Sequence, residues 1–262
     1  MNEILQVRQL SAGYGKTDVI RNVSFSLEES TLTGLLGTNG SGKSTLIKAL
    51  CGILPSVGNC ILKDVDPRKL KERIRARYIS YIPQRCGISF SIPVIDVALM
   101  GYNSVLGLLD RPTDAQRKKA VEALKMVGLG DRAEEDFLTL SGGQRQLVIL
   151  ACAIVQDASL MLFDEPGSAL DFSNHHEIMG IIRGLAKKRS VAGLICMHDT
   201  NFALRYCDSL ILLKDGQIVD TVKPREDEKL KIQNAFAEVY GDVELLEHNK
   251  NYLMVKRGTH ET

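Results

Sequence analysis

Tryptophan is absent from this 262-residue sequence, and aromatic residues as a whole make up only 5% of it. The formal net charge is +1, so the chain also has no large excess of positive charge. A surface that stacks on nucleic-acid bases needs aromatic side chains, and attraction to phosphate backbones or anionic lipid needs a basic field. These shortages argue against nucleic acid as a partner and against direct binding to a lipid surface.

The six cysteines also lack the paired C-x-x-C spacing of a metal or redox site, and several lie inside apolar runs. We therefore expect small core residues in a reducing compartment, rather than a disulfide framework or a metal site. The longest strongly apolar run, Leu147 to Val155, is too short to cross a bilayer. Residues 1–10 show no signal-peptide pattern. We expect a cytoplasmic chain that reaches a membrane only through a partner.

The strongest motif present is a glycine-rich loop that fits G-x-x-x-x-G-K-[ST]. It consists of Gly37, Thr38, Asn39, Gly40, Ser41, Gly42, Lys43, Ser44 and Thr45. A buried strand is predicted before it, at 31–36, and a helix after it, at 45–50. The glycines let backbone N–H groups close around a phosphate, Lys43 offers a charge to the β- and γ-phosphate oxygens, and the Ser44 hydroxyl can ligate Mg²⁺. The loop predicts a nucleoside triphosphate site.

A second glycine-containing motif begins the apolar helix predicted for 147–155. Ser141 and Gln144 have the spacing of a capping box, while Gly142 and Gly143 fall in the first turn. A helix cap alone explains the serine and the glutamine. Two glycines weaken a helix, so their presence favours close approach of another surface to this terminus, and a phosphate is the natural candidate.

Polar residues follow several predicted strands. Asp164 and Glu165 end the apolar strand 160–163, His198 follows strand 191–197, and Gln84 follows strand 78–82. Open α/β sheets bind ligands at the carboxyl ends of their strands, which favours a functional role, although solvated strand-end residues are the plainer alternative. Tyr14, in an early Gly-Tyr-Gly turn, is either a turn tyrosine or a ring that stacks on adenine.

These patterns predict an α/β fold. Strands alternate with helices as in a mostly parallel sheet, an antiparallel β part is predicted near the start of the chain, and a helical subdomain is predicted at about 94–157. We expect one ATPase domain over residues 1–222 and a small appendage over residues 223–262, where a helix and a terminal hairpin are predicted. The run 68–77 is predicted to be a basic, exposed helix.

Taken in order, the motifs resemble those of the ATP-binding cassette (ABC) family, from about residue 4 to residue 222. The resemblance rests on Tyr14, the loop 37–45, Gln84, the signature 140–144, Asp164 with Glu165, the loop 168–171 and His198. Within the family, the stretches 97–101, 197–208 and 213–216, and Tyr240-Gly241, are similar to ATPase subunits of bacterial importers for iron chelates (siderophore or haem) and cobalamin. Gly167 stands where the family often has Thr.

The resemblance implies a P-loop NTPase core and a role for each motif residue. Ser44 and Gln84 would ligate Mg²⁺ with the support of Asp164, and Glu165 would be the general base for the attacking water. His198 would contact the γ-phosphate. In an ATP-sandwiched homodimer, the signature residues 141–144 would bind the nucleotide of the other copy, and Asp171 would link the two sites.

The resemblance also implies that ATP hydrolysis is coupled to transport through transmembrane permease subunits, and indirectly to a substrate-binding protein. The chain would lie on the inner face of the cell membrane, held by the permease. The apolar residues Phe90, Ile92 and Val94, around Pro93, are predicted to be exposed, and they either line a docking groove for a short helix of the permease or belong to a loop folded into this chain's own core. Two alternatives stay open: a manganese or zinc importer ATPase, and a soluble ABC ATPase with a non-transport task such as cofactor assembly.

Overall fold

The computed structural model describes residues 2–84, 87–107, 109–167, 171–249 and 251–257. The strands in that part of the chain are β1 (Glu3–Tyr14), β2 (Thr17–Glu28), β3 (Leu32–Leu36), β4 (Ser56–Leu62), β5 (Ile79–Ile82), β6 (Leu160–Asp164), β7 (Ala192–Cys196), β8 (Ser209–Lys214), β9 (Gln217–Val222), β10 (Val243–His248) and β11 (Asn251–Lys256). The α-helices are α1 (Lys43–Leu50), α2 (Glu72–Arg75), α3 (Val94–Leu99), α4 (Asp114–Met126), α5 (Gly142–Gln156), α6 (Phe172–Arg189), α7 (Thr200–Tyr206) and α8 (Lys229–Tyr240).

The chain divides into two compact units. The first contains residues 1–68 and 192–262, and the second contains residues 69–191. Residues 223–257, which we predict to be an appendage, thus fall in the first unit with the predicted phosphate loop. The domain boundaries at 222 and at about 94–157 stay predictions.

In the first unit, β3 lies between two parallel neighbours, β7 and β8, and β9 pairs antiparallel with β8. All five residues of β3 and all five of β7 are buried. Their sequences are short apolar runs without alternation, as expected of parallel strands covered on both faces. Strands β2, β1 and β4 form a separate antiparallel sheet, and β10 with β11 forms a hairpin. The predicted mixture of parallel and antiparallel strands is confirmed.

The second unit combines the parallel pair β5 and β6 with the helices α2 to α6. Helix α4 begins at a complete Thr113 capping box and buries Ala120, Ala123 and Leu124 on one face. Helix α5 buries seven of its fifteen residues. These apolar helical faces form a core, and the predicted helical insertion is confirmed.

The predicted basic helix at 68–77 is wrong in extent. A 3-10 turn covers Pro67–Lys69 and α2 covers only Glu72–Arg75, because the extended backbone of Lys71 separates them. Arg68 is not exposed either. Its guanidinium pairs with Asp66 at 2.7 Å and donates to the Gly58 carbonyl oxygen at 2.8 Å. A run of charges does not by itself define a helix when no apolar face repeats along it.

Cysteines are core residues where the structure describes them: four are buried and Cys152 is half-buried. Burial raises the pKa of the Cys60 thiol to about 11, so this group stays protonated at neutral pH. Cys86 lies outside the described residues. Within the described part of the chain, we find no helix with both the length and the apolar character needed to cross a membrane.

Candidate active site

The glycine-rich loop leaves the carboxyl end of β3 and enters α1, as the sequence predicts. Gly40 and Gly42 have φ of 80° and 107°, a region that glycine enters without strain. Gly37 has no room for a side chain, because a Cβ there would lie 2.3 Å from the Leu213 carbonyl oxygen. The Ser41 hydroxyl is buried without a hydrogen-bond partner. A tight backbone loop and an unsatisfied buried hydroxyl at a helix N-terminus suit a phosphate.

The Lys43 side chain is 5% exposed and lies inside the loop that it follows. Its ammonium donates to the carbonyl oxygens of Gly37 at 2.8 Å and Thr38 at 3.1 Å. Thr38, Asn39 and Gly40 are exposed at the tip of the loop. These two contacts keep the Lys43 ammonium at the loop, where it can reach the oxygens of a bound phosphate.

His198 leaves the same edge of the sheet as the glycine-rich loop. Strands β3 and β7 are parallel, with Leu35 opposite Cys196, and the Met197 amide donates to the Leu35 carbonyl oxygen at 3.2 Å. The next residue, His198, is exposed. Asp199 accepts from the first amides of α7 at 2.8 and 3.0 Å and so has a capping role. The structure therefore brings His198 and the phosphate loop to adjacent strand ends.

Tyr14 is the last residue of β1, beside the turn at Gly15. Its side chain is 53% exposed, which is high for an aromatic residue in a strand. The exposed ring can stack on a flat apolar ligand such as an adenine base. The exposure of Tyr14 agrees with a ring that stacks on adenine and equally with a turn tyrosine, since a turn tyrosine would also be exposed.

In the second unit, Gln84 and Glu165 contact each other. Strands β5 and β6 are parallel and end together, with Ile82 opposite Phe163. Beyond those ends, the Gln84 amide nitrogen donates to a Glu165 carboxylate oxygen at 2.9 Å. The structure confirms that these predicted site residues share one edge, because parallel strands place their carboxyl ends on the same side.

Asp164 is 8% exposed and receives a hydrogen bond from the Tyr81 hydroxyl at 3.3 Å. Tyr81 is not among the predicted site residues, because a tyrosine inside an alternating strand is typical of side-chain packing in the core. Its position two residues before Pro83 and three before Gln84 is the one signal that could have indicated it. Tyr81 holds the Asp164 carboxylate on one side of the strand end.

The backbone of Glu165 is in the left-handed region, with φ of 54°. Few residues other than glycine, asparagine and aspartate adopt this conformation, and such strain concentrates at functional sites. Pro166 and Gly167 after it are buried. The turn directs the half-buried Glu165 toward Gln84 and fixes the carboxylate at the strand end.

The signature motif forms the N-terminus of α5. The Ser141 hydroxyl accepts from the Gln144 amide at 3.3 Å, and the Gln144 side chain accepts from the Ser141 amide at 3.0 Å. The predicted capping box is confirmed. Ser141 and Gly142 are exposed, and a Cβ added to Gly142 would meet nothing within 4 Å. In the part of the chain that the structure describes, no close contact requires glycine at 142.

Asp171 caps α6, with one carboxylate oxygen 2.9 Å from the Asn174 amide and the other 2.8 Å from the Asn174 side chain. Residues 168–170 of the same loop lie outside the described residues. Glycine at position 167 is explained by a neighbouring side chain, because a Cβ there would lie 2.3 Å from the His175 ring. His175 and His176, near the start of α6, are half-buried.

The residues that we predict to ligate Mg²⁺ offer oxygen atoms only: a hydroxyl at Ser44, an amide at Gln84 and a carboxylate at Asp164. Hard oxygen donors of this kind, with one carboxylate and substrate phosphates, suit Mg²⁺. Among the described residues, no cluster of three His, Cys, Asp or Glu side chains forms an all-protein metal cage. The donor set fits a cation that arrives with a nucleotide.

Of the three apolar residues predicted for docking, Phe90 is 58% exposed and Ile92 is partly exposed. Val94 is buried and begins α3, so its predicted exposure is wrong. The segment is held in place, since the Ile92 carbonyl oxygen accepts from Phe137 at 2.9 Å. A cleft of about 590 Å³ lies beside α3, lined in part by Asp96, Leu99 and Met100.

Comparison with known proteins gives one consistent result. Residues 20–168 match the family model described as ABC transporter. An iron chelatin transport ATP-binding protein of Helicobacter pylori is 36% identical, over 82% of this chain and 85% of that protein. A cobalamin import ATP-binding protein of Halobacterium salinarum is 33% identical, over 84% of this chain and 55% of that protein. A zinc transport system ATP-binding protein of Treponema pallidum is 36% identical, over 80% of this chain and 77% of that protein.

Solved structures give the same family. The chain is similar to an inward-facing metal-chelate type ABC transporter with a TM-score of 0.81 and 25% identity, over 97% of this chain and 96% of the other. It is also similar to a dimeric ATP-binding cassette in a post-hydrolysis state with ADP and phosphate. That likeness has a TM-score of 0.74 and 25% identity, over 85% of this chain and 100% of the other.

Proposed function

The chain belongs to the ABC transporter family, and from that premise we propose that it is the nucleotide-binding subunit of an importer, in which two copies close around two ATP molecules and drive a membrane permease. Family membership makes the chain an ATPase that binds ATP. The observation that supports the proposal most strongly is the empty space at Gly142. A glycine that no contact among residues 2–84, 87–107, 109–167, 171–249 and 251–257 requires indicates a surface kept clear for another molecule.

We assign the substrate class from the relatives. Proteins named for iron chelatin transport and cobalamin import are among those that the chain resembles, and the likeness to a metal-chelate type transporter supports the same class. Iron-siderophore complexes, haem or cobalamin are therefore the proposed cargo. The similar zinc transport protein keeps a zinc or manganese importer as the second candidate.

In the proposed mechanism, the loop 37–45 holds the phosphates of ATP. Its backbone amides and the N-terminus of α1 face the anion, and the Lys43 ammonium, which lies at the carbonyl oxygens of Gly37 and Thr38, turns to the β- and γ-phosphate oxygens. Tyr14 stacks on the adenine. Ser44, Gln84 and Asp164 would hold Mg²⁺, which neutralises charge on the phosphates when it is bound.

Glu165 is the proposed general base for hydrolysis. Its carboxylate accepts from the Gln84 amide, which positions it at the end of β6. It orients the attacking water and takes a proton from it, a role worth roughly 10²- to 10⁴-fold in rate. His198 contacts the γ-phosphate from the end of β7. Positioning and charge, rather than covalent chemistry, are what phosphoryl transfer to water requires.

The proposed dimer uses the signature motif of one copy on the nucleotide of the other. Ser141, Gly142 and Gly143 present the N-terminus of α5 to a phosphate, while the loop 37–45 of the same chain already binds its own. A two-fold arrangement makes two equivalent sites, and Asp171 links them. The similar cassette with ADP and phosphate is dimeric, which supports this arrangement.

The proposed permease contact uses Phe90 with the cleft beside α3. An exposed aromatic ring on a segment whose backbone is fixed suits a short helix of a partner, and so does a cleft whose lining includes Leu99 and Met100. The chain would then lie at the inner face of the cell membrane through its permease, with a substrate-binding protein as an indirect partner.

Membrane association tests the importer proposal. The chain is co-expressed with each candidate permease, and the fraction that sediments with membranes is measured. We expect association only beside the cognate permease, and we expect Phe90→Asp to release the chain while ATP binding is retained. Leu230→Asp is the matched control, since Leu230 is an exposed apolar residue on α8, at 65% exposure. A chain that stays away from membranes beside every permease, and instead copurifies with a soluble scaffold, supports the cofactor-assembly alternative.

A further inference from the structure

Strand β5 supplies a hydrogen-bond donor to each of the two acidic residues that follow one another at the end of β6. The Tyr81 hydroxyl donates to a carboxylate oxygen of Asp164 at 3.3 Å, and the Gln84 amide donates to a carboxylate oxygen of Glu165 at 2.9 Å. All four residues belong to the second unit. Gln84 and both acids have roles in the proposed function, whereas Tyr81 has none there.

The register of the two strands explains why a tyrosine reaches Asp164. Tyr81 is paired with Leu162 in the parallel ladder, so their side chains lie on the same face of the sheet. Asp164 is two residues beyond Leu162 and shares that face, because side chains alternate along a strand. It lies about 8 Å away along the diagonal, since paired strands are about 4.8 Å apart and two residues advance about 6.6 Å. The phenol hydroxyl spans that distance, and a phenylalanine ring would end short of the carboxylate.

Tyr81 is held in place by its strand. On the opposite face of β5, the Ser80 hydroxyl donates to the Gln156 side-chain oxygen at 2.9 Å, and Ser80 is 1% exposed. The Gln156 side-chain nitrogen donates to the Ile79 carbonyl oxygen at 2.9 Å. Strand β5 is therefore fixed to α5 by these two hydrogen bonds and to β6 by the parallel ladder. The Tyr81 ring is itself half-buried, so it is not a freely rotating surface side chain.

The contact has a consequence for chemistry because Asp164 carries a proposed metal-binding role. A carboxylate rotates about its side-chain bonds, and a hydrogen bond to one of its oxygens fixes the orientation of the whole group. Asp164 is buried, so little water is available to replace that donor. Loss of a group that orients a metal ligand commonly weakens metal binding by about 10- to 100-fold. At 3.3 Å the bond is longer than the usual range of about 2.5–3.0 Å, which indicates a smaller effect here.

We propose that Tyr81 is a positioning residue for Mg²⁺, whose hydroxyl fixes the Asp164 carboxylate in the orientation that supports the cation bound with ATP. Tyr81 acts through Asp164 and not on the nucleotide. Strand β5 then contributes to the site twice, through Tyr81 inside the strand and through Gln84 beyond its end. The inference deepens the proposed function, and it rests on the Mg²⁺ site proposed there.

The test compares nucleotide binding with and without the cation. The Kd for a non-hydrolysable ATP analogue is measured by calorimetry in Mg²⁺ and again in a chelator, and the ratio of the two gives the coupling between cation and nucleotide. Tyr81→Phe keeps the ring and removes only the hydroxyl. We expect it to reduce this ratio roughly 2- to 10-fold while the Kd in chelator stays unchanged. The Mg²⁺ concentration that half-saturates ATP hydrolysis should rise by a similar factor.

Tyr78→Phe is the matched control, since Tyr78 is also half-buried and lies one residue before β5. It should leave the ratio unchanged. A double-mutant cycle shows whether Tyr81 acts through Asp164, because adding Tyr81→Phe to Asp164→Asn should then cause no further change. A wild-type ratio in Tyr81→Phe, an equal loss in the two tyrosine variants, or additive effects in the cycle would each overturn the inference. If the unaltered chain fails to bind the analogue, the proposed function itself fails, which is a different outcome.

Discussion

Replacing Gly142 by alanine should make the fold more stable and the enzyme inactive. Gly142 is the first residue of α5, where glycine weakens a helix and where an added Cβ meets nothing within 4 Å. Inside the chain, the substitution therefore adds a better helix former without a clash. Outside the chain, it places a methyl group where we propose that the γ-phosphate of the other copy's ATP arrives.

The two effects have different sizes. Glycine costs a helix about 0.5–1 kcal/mol relative to alanine, and this is an upper value at the first helical position. For a chain of this size, that gain raises the melting temperature by about 1–4 °C. Loss of one preorganised contact to a developing phosphate charge costs roughly 10²-fold in turnover. Stability and activity should therefore change in opposite directions.

The matched control is Gly180→Ala. Gly180 is exposed in the middle of α6, and an added Cβ there also meets nothing within 4 Å. Thermal unfolding without nucleotide and steady-state ATP hydrolysis are measured on both variants. Both should be stabilised, and only Gly142→Ala should lose turnover. A stabilised Gly142→Ala chain with full turnover would show that the position is not needed clear for ATP of the other copy. A destabilised Gly142→Ala chain would show that the added Cβ is not accommodated in the fold.

Two further predictions concern the end of β6. Glu165→Gln keeps an acceptor for the Gln84 amide, so it should retain ATP affinity while hydrolysis falls roughly 10²- to 10⁴-fold; near-normal turnover would remove Glu165 from the mechanism. Gly167→Thr, which introduces the residue common in the family, would place a Cβ 2.3 Å from the His175 ring and should lower the free energy of unfolding by about 1–3 kcal/mol. His175→Ala should relieve most of that loss in denaturant titrations, and a Gly167→Thr chain as stable as the wild type would contradict the clash.

Much of the candidate site was predictable because its signals are local. The loop 37–45 combines backbone freedom with one charge and one hydroxyl, and no ordinary surface turn needs that combination. The buried strands β3, β6 and β7 are mostly apolar without alternation, as expected of parallel strands covered on both faces. The capping box at Ser141 depends on residues three positions apart, so it too is visible in the sequence.

Contacts between distant residues were not predictable. The hydrogen bond between Tyr81 and Asp164 depends on tertiary packing, and neither residue indicates its partner in the sequence. The left-handed backbone of Glu165 is also invisible, because glutamate carries no preference for it. Val94 shows the limit of short apolar patterns, since a valine near exposed residues is buried once α3 forms.

The most direct test of the account is the mass of the Glu165→Gln chain in solution with Mg²⁺ and ATP. The chain has a mass of 28.9 kDa, and light scattering distinguishes one copy from two. We expect a single copy without nucleotide, a twofold increase in mass with ATP, and a return to one copy when Ser141→Arg is added. A Glu165→Gln chain that binds ATP and remains a single copy, or a dimer that Ser141→Arg leaves intact, would contradict the shared nucleotide sites on which the account depends.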